Sequence, residues 1–595
     1  MRKISFLLLA LVCAMNLLAE TVLVDGLYYS LGNTTATLVQ DQTSDKSMYK
    51  AYTSVTIPAS VYYNNYTYPV TTIGQDAFEY CSNLQSVTLP NSITAIYSYA
   101  FYYCTKLGSV NLPEGLTSIN QYAFYSCNLD TIVIPSSVTS IGSKAFQGNP
   151  IKSVTWLPPT CSISADDSAP FYSTNSQITS FTFGNQVEVI PAYLCKYMSK
   201  LDTVVLPPSV YSLGQNAFMY CTSLKSINLP VTQKTLPVGF FEGCTSLESI
   251  ELPATLTTIS TDAFYGCSKL ANVNLHEGIT TINQRAFFGC KLAQITIPQT
   301  VTYIGSGAFK SNPTTAVTWL PKTCSISSDD SAPFYSTNSK ITSFTFGDSV
   351  AVIPAYLCKY MSLLDSVAIP VSVTSIGQSA FMYCTSLKHF EFPQGIKTVA
   401  TSVLEGASGL EEVFIPATVT TINQDAFYNC SKLKAIHNYA YTPQAIPSRA
   451  LNNVNKQTCI LYVPIDYIDL YQAADVWKEF SNIIGVATDL QFEDQIVNVS
   501  YLKADSSLHY MEAQTWAVPH EPRITGFTFI GWQVQQGMLE DGVVLVAVYQ
   551  ANTPTPNPSD VIVNPANKTQ KLIRQGNVYI LYDDQIYTLR GQRVR

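Results

Sequence analysis

The sequence predicts an α/β repeat solenoid, a right-handed coil with a parallel β-sheet along one face, followed by a small C-terminal β-rich module. Three observations predict it. One motif recurs about every 23 residues through most of the chain, a second period of 163 residues lies over it, and each copy carries a short strand-like alternation closed by proline. Periods of this size mark stacked units that bury their apolar faces only against their neighbours. At 595 residues a single globular core is implausible, and stacking escapes that limit.

Residues 1–19 read as a secretory signal peptide. Arg2 and Lys3 precede an apolar run over residues 4–12, which continues to Leu17, Leu18 and Ala19 before Glu20. A basic start, an apolar segment too short to span a bilayer and a small residue at the break form that pattern, and cleavage is placed after Ala19. Val12 before Cys13, without a small-residue box, argues against lipoprotein processing. No later stretch reaches the roughly 18 uninterrupted apolar residues of a transmembrane helix. The expectation is an exported protein, secreted or at the cell surface in association with an outer membrane, with no transmembrane segment.

Residues 20–72 lack the motif and read as short strands, among them Val55-Thr56-Ile57-Pro58 and Tyr66-Thr67-Tyr68-Pro69-Val70. They are assigned as an N-terminal cap, because the end of such a stack exposes apolar surface and an open sheet edge.

The solenoid is assigned to residues 73–436. Its first clear copy, from Ile73 to Pro90, has the outline I-x3-A-F-x2-C-x2-L-x2-V-x-L-P. The Ala-Phe step recurs at Phe101, Phe124, Phe146, Phe218, Phe264, Phe287, Phe309, Phe381 and Phe427. Degenerate copies stand at Phe171, Cys195, Phe241, Phe334, Cys358 and Leu404, which with Phe78 makes sixteen turns. The longer period takes Thr155-Trp156-Leu157-Pro158 to Thr318-Trp319-Leu320-Pro321, 163 residues or seven turns on. A seven-turn block has been duplicated whole. Within a copy, Val87 and Leu89 point inward while Ser86 and Thr88 point out, and Pro90, lacking a donor, ends the strand. Ile73, Ala77, Phe78, Cys81 and Leu84 supply the other inward positions on a tight helical or 3₁₀ turn. Sixteen strands at about 4.8 Å make a sheet roughly 75 Å long.

Residues 437–488 read as a C-terminal cap. The motif decays after Leu433, and a helix is expected with Asp466 near its start and Tyr467, Leu470, Tyr471, Ala474 and Trp477 at helical spacing. Residues 489–550 form the β-rich module, with strand-like runs around Phe527 and Val544. Residues 551–570 form a proline-rich linker, and residues 571–595 a strand-like tail ending in Arg590, Arg593 and Arg595.

The I-x3-A-F-x2-C-x2-L-x2-V-x-L-P turn resembles the BspA-type leucine-rich repeats of bacterial surface proteins, from about Thr21 to Val486. The resemblance implies a leucine-rich-repeat coil, export and display at the cell surface. It also implies adhesion to host matrix proteins or other cells, through ligands that vary within the family and no fixed binding residue. The stretch from Phe527 to Tyr549, with Gly531-Trp532 and Ala547-Val548-Tyr549, is similar to a small β-grasp-like surface repeat. The tail, with Val578-Tyr579-Ile580 and Tyr587-Thr588-Leu589-Arg590-Gly591-Gln592-Arg593-Val594, is similar to C-terminal sorting tails of Bacteroidales proteins.

Little in the sequence points to chemistry. The net charge is −8, or −10 without Arg2 and Lys3, which argues against nucleic acid as a partner. Nine cysteines share one register: Cys81, Cys104, Cys127, Cys221, Cys244, Cys267, Cys290, Cys384 and Cys430. That spacing reads as a ladder of buried free thiols in one niche, with Met198 and Met361 taking the niche in two turns. Cys161, Cys324 and Cys459 lie off the ladder. The five histidines are scattered, no Cys-x2-Cys or paired-His spacing offers a metal site, and no nucleophile elbow, zincin or phosphate loop occurs. Asp166-Asp167 and Asp329-Asp330 sit in matching inserts and follow from the duplication. No catalytic residue, metal or cofactor is expected, and the chain is read as a non-enzyme.

The outward strand positions are more informative. Most are small and uncharged, as in Ser86 and Thr88, Ser109 and Asn111, Ser226 and Asn228, and Asn272 and Asn274, which suits any exposed sheet. In the last turns His389 with Glu391, Glu412 with Phe414, and His437 replace them. An exposed aromatic beside charges is the composition of a recognition patch, so these five are the candidate binding residues. Tyr80, Tyr103, Tyr220 and Tyr383 share a register before the ladder cysteine, either as contact residues or as packing between turns. The leading reading is an adhesin-like protein engaging a protein partner, host matrix or bacterial surface. A glycan-binding accessory protein and a structural envelope component are the alternatives.

Overall fold

The structure, a computed structural model, describes residues 20–486 apart from 45, 165–167, 328–331 and 336, and beyond 486 only the course of separate strands. The expected signal peptide and the paired aspartates of the inserts lie outside the described residues.

The chain divides into two compact units. Met1–Leu461 with Gln472–Asn482 form one, and Tyr462–Tyr471 with Ile483–Arg595 the other. The first is a parallel β-solenoid of about 18 turns. Each turn has three sides. One carries the strand read from the sequence: Ser86–Thr88 pairs in parallel with Ser54–Thr56 before it and Ser109–Asn111 after it. A second strand follows the proline: Ala95–Ile96 pairs with Thr72 and Ile73 and with Ser118–Ile119, in a nine-stranded sheet that reaches Ser162–Ile163.

The third side carries the Ala-Phe step, and it departs from the expected helical turn. The N–H of Phe78 donates to Ala100 O at 2.7 Å and that of Tyr80 to Tyr102 O at 2.7 Å, both in the next turn, while Glu79 donates back to Asp76 O at 3.1 Å. Left-handed residues make this possible: Asp76 has φ 56° and Tyr80 φ 58°. A helix would close its hydrogen bonds within itself, and every buried backbone group must find a partner. Left-handed residues four apart interrupt the helix instead, and alternate donors, those of Asp76, Phe78 and Tyr80, point along the stack. The coil is therefore stitched on all three sides, and in place of the single long sheet of the expectation two sides carry successions of short parallel sheets.

The core is a column of rings. Phe78 and Phe101 stack with centroids 5.3 Å apart, Phe101 and Phe124 at 5.1 Å, and Phe264 and Phe287 at 5.1 Å. At the N-terminal end Tyr49, on a 3₁₀ turn over Tyr49–Ala51, stacks against Phe78 at 5.2 Å. The antiparallel strands Glu20–Val24 and Leu27–Leu31 lie beyond it. At the other end one more turn follows Leu433. Ala450 and Leu451 are fully buried at the Ala-Phe register, and Phe427 N donates to Ala450 O at 2.9 Å. Its outline, Ile446 to Val454, fits the motif with Leu451 for Phe, one of the substitutions that hid it.

Among the described residues α-helix is confined to Ile468–Ala473, six residues with 3₁₀ turns at Ile465–Tyr467 and Trp477–Glu479. The expected long helix breaks because Val476 takes φ 67°. Trp477 is buried, its indole N–H donating to Gln444 O at 2.9 Å. In the second unit Phe492–Ile496 pairs antiparallel with Thr515–Pro519. A six-stranded sheet there runs from Phe527–Leu539 and Gly542–Ala551 through Thr569–Arg574, Asn577–Tyr582 and Gln585–Thr588 to Arg593–Val594.

Candidate functional site

Many of the small polar residues hold the coil together. Thr117 Oγ1 donates to Thr94 O at 2.9 Å, Thr139 to Thr117 O at 3.2 Å and Thr280 to Thr257 O at 3.2 Å. A second row follows the strand prolines, with Ser92 donating to Val70 O at 2.7 Å and Ser372 to Val350 O at 2.7 Å. Asn228 and Asn274 face outward as expected, and both also bond backbone. Asn228 replaces a missing ladder pair, accepting from Leu206 N and donating to Leu206 O, both at 2.9 Å. Asn274 accepts from Leu252 N at 2.8 Å. These side chains satisfy backbone between turns.

The cysteine ladder is polar in the same sense. Each ladder thiol after Cys81 donates to the carbonyl at the Phe position one turn earlier, as Cys104 to Phe78, Cys244 to Phe218 and Cys290 to Phe264, at 3.1 to 3.2 Å. Asn149 fills the niche in its turn and donates to Phe124 O at 2.6 Å, and Thr174 donates to Phe146 O at 3.0 Å. All fourteen described cysteines, Cys161, Cys324 and Cys459 included, are free and buried.

Against this background the last turns stand apart. Strands His389–Glu391, Glu412–Ile415 and Ala435–Asn438 pair so that His389 lies opposite Glu412, Glu391 opposite Phe414, and Phe414 opposite His437. The five candidate residues are therefore contiguous. Glu412 bridges the histidines: its Oε2 lies 3.2 Å from His389 Nδ1 and its Oε1 2.8 Å from His437 Nε2. The His437 hydrogen bond and charge, followed by those of His389, hold the Glu412 carboxyl below its ordinary range against the opposing effect of burial. The His437 ring stacks on Phe414 at 4.3 Å with 11° between planes. His389 and Glu391 are exposed, while Glu412, Phe414 and His437 are half-buried.

Tyr439, which sequence reasoning missed, borders this patch at 6.3 Å from His437. Burial, with the charges of Glu391 and Glu412, pushes its hydroxyl up to about 12. Its place two residues beyond His437, on the same face of the strand direction, was the available signal. Among the described residues no group of three or more His, Cys, Asp or Glu side chains is placed to hold a metal.

The family description "BspA type Leucine rich repeat region" matches six copies, over residues 71–199, 188–316, 234–364 and 327–457. Together these span well over half of the 595 residues. The chain belongs to the BspA-type leucine-rich repeat family. No curated protein matches it. Among solved structures it is similar to a leucine-rich repeat protein from Bacteroides ovatus ATCC 8483, at 24% identity over 70% of this chain and 94% of that one, TM-score 0.43. It is also similar to a leucine rich cell surface protein from Faecalibacterium prausnitzii A2-165, at 24% identity over 75% and 94% of the chains, TM-score 0.26. The pneumococcal vaccine antigen PcpA matches at 16% identity over 79% and 100%, TM-score 0.27.

In this BspA-type coil the tyrosine register also finds its place. Tyr80 stacks on Tyr103 at 5.5 Å, Tyr197 on Tyr220 at 5.3 Å and Tyr360 on Tyr383 at 5.3 Å. The rings pack face to face between neighbouring turns and present edges and hydroxyls outward. An architecture of parallel stacked turns is one of binding and scaffolding, since it offers long faces and few enclosed clefts.

Proposed function

We propose that this chain is an adhesin-like surface protein that grips a protein partner through the last turns of its solenoid, centred on His389, Glu391, Glu412, Phe414 and His437. The observation that carries the reading is the departure of these five adjoining positions from a face otherwise made of small polar residues. A half-buried ring pair, Phe414 and His437, sits between an exposed imidazole and an exposed carboxylate, which is the make-up of an interface core with a charged rim. Such a patch has no need of cofactor or metal. Export and display at the cell surface belong to the same proposal, as do the module and sorting roles of residues 489–595.

Glycan binding is the second reading. Its support in the sequence was the Ser/Thr/Asn face and the tyrosine rows, but Asn228 and Asn274 of that face bond backbone, and the stacked rings cover each other's faces. The test pairs a panel of extracellular-matrix and mucin proteins with a glycan array, using the full chain and the double variant Glu391→Ala, Phe414→Ala. Binding to one protein that the double variant loses by at least tenfold is the expected result. Binding unchanged in the double variant overturns the patch. Binding to glycans alone overturns the protein partner, and failure on both panels favours a structural envelope component.

A further inference from the structure

The duplicated block permits an internal comparison, because each position of the first copy has a counterpart 163 residues on at the same structural register. On the Ala-Phe side the two copies behave differently in different turns. In the earlier turns most outward residues have changed: Tyr99, Tyr103, Tyr122 and Tyr125 correspond to Asp262, Gly266, Arg285 and Phe288, while Tyr102 is kept as Tyr265. In the next three turns most have not, Asn216 to Ser379 being a change. Tyr172, Tyr193, Lys196, Tyr197, Met219 and Tyr220 return as Tyr335, Tyr356, Lys359, Tyr360, Met382 and Tyr383. The backbone asks the same of both sets of turns, so packing within the coil does not separate them.

The geometry is repeated with the identities. Lys196 Nζ lies 5.5 Å from the Tyr193 ring and 4.8 Å from Tyr197, and Lys359 Nζ lies 5.4 Å from Tyr356 and 4.9 Å from Tyr360. Gln215 donates to the Tyr193 hydroxyl, and Gln378 to that of Tyr356. One contact is retained although its residue has moved. The ammonium over Tyr172 comes from Lys144, at 5.3 Å, and that over Tyr335 from Lys310, at 5.0 Å. Those lysines are 166 residues apart rather than 163.

The backbone supplies an independent argument. Tyr197, Tyr220, Tyr360 and Tyr383 have φ of 64°, 58°, 65° and 59°, where a bulky side chain is strained. At the same register Gly243, Gly266, Gly289 and Gly406 take the left-handed conformation with φ of 71°, 70°, 67° and 70°, free of that strain. Tyrosine is thus kept twice where glycine serves the fold.

We propose that these two lanes are one recognition surface present twice, for a protein partner that displays the same epitope at two places. Seven turns at about 4.8 Å set the lanes roughly 34 Å apart along the stack. A protein fits because Tyr197 and Tyr220 cover each other's faces at 5° between planes, as do Tyr360 and Tyr383. What they offer is edges, hydroxyls and the neighbouring Met thioether, which suit a polypeptide surface, whereas a sugar ring stacks on a free face. Two weak sites joined by a rigid scaffold gain avidity only from a partner whose epitopes span them.

The lanes rest on the protein-binding reading of the fold but not on the patch around Phe414, so the test carries both. Short random peptides displayed on phage are selected on the full chain, and a selected peptide is synthesised singly and as a tandem joined by a linker long enough to span both lanes. Lane variants use glycine, which this register accepts: Tyr197→Gly with Tyr220→Gly, Tyr360→Gly with Tyr383→Gly, and all four. Tyr80→Gly with Tyr103→Gly is the control at the same register outside the lanes, and circular dichroism checks the fold of each. The expected result is two single peptides per chain by calorimetry, one in either lane variant and none in the four-fold variant. The tandem should bind at least tenfold tighter than the single peptide, and that gain should vanish in either lane variant. Retention by Glu391→Ala, Phe414→Ala separates the lanes from the C-terminal patch. A stoichiometry of one, equal loss in the control, or selection of no peptide that distinguishes the four-fold variant overturns the proposal.

Discussion

The thiol of Cys267 donates to the carbonyl oxygen of Phe241, one turn earlier, at 3.1 Å. The niche therefore takes a donor in most turns, and Met198, Met361, Ala407 and Val454 are the exceptions. Met198 and Met361 have no donor to give. The carbonyls one turn before them, of Phe171 and Phe334, already accept from the N–H groups of Thr174 and Asn175 and of Thr337 and Asn338. Phe241 O also accepts from the Cys244 N–H at 3.1 Å, so replacing Cys267 by Val, close in volume, removes one of two donors and should cost about 0.5–1.5 kcal/mol. Urea unfolding checks it, and a neutral valine would mean that volume alone governs the niche.

Alkaline pH should unfold the chain. Burial pushes the thiols of Cys81, Cys161, Cys324, Cys384 and Cys459 up to about 12, and the remaining ladder thiols higher still. The unfolded chain ionises near the ordinary value of 9.0, so the folded state binds more protons above it. Stability is complete below 9.0 and falls as the pH climbs toward 12. Melting temperature followed across that interval should drop steeply. A flat profile would contradict a buried ladder. At neutral pH the same burial should leave the native thiols unreactive to alkylation until the coil is unfolded.

Phe264 stacks between Phe241, at 5.5 Å, and Phe287, at 5.1 Å, with no exposed surface. Truncation to Ala should cost about 3–5 kcal/mol. Because each turn couples to its neighbours, hydrogen exchange should quicken in the turns around Phe264 first, and distant turns should keep their protection. A single cooperative transition of the whole coil would overturn this.

Glu412 offers a test at acid pH. Its carboxyl is held below 4.5 by His437 and His389, so its contribution is present above 4.5 and is lost as the pH falls through the lowered value. Glu412→Gln should melt earlier than the parent near neutrality, and the difference should shrink below pH 4.5. A difference independent of pH would mean that the bridge to the two imidazoles carries no charge.

The period, the inward register and the duplication were legible in the sequence because packing in a coil leaves one residue type at one spacing. The core phenylalanines and the ladder cysteines all lie where that spacing puts them. The last turn, from Ile446 to Val454, was not legible, because Leu451, Val454 and Gln457 together replace the Phe, Cys and Leu of the motif while the core stays filled. The expected helix beyond Asp466 is present but short, ending at Ala473 ahead of the left-handed Val476, which apolar spacing does not register.

What the sequence determined by itself is the coil: its repeat length, its inward faces and the break in character at His389, Glu412 and His437. Only the tertiary structure decided how the backbone closes and which side chains meet. Hydrogen bonds along the stack join residues about 23 apart, as Phe78 joins Ala100, and no local propensity reports a partner at that distance. The same holds for Glu412 between two imidazoles contributed by neighbouring strands. Periodicity records what each turn needs from its own residues, and contacts between turns exist only once the turns are stacked.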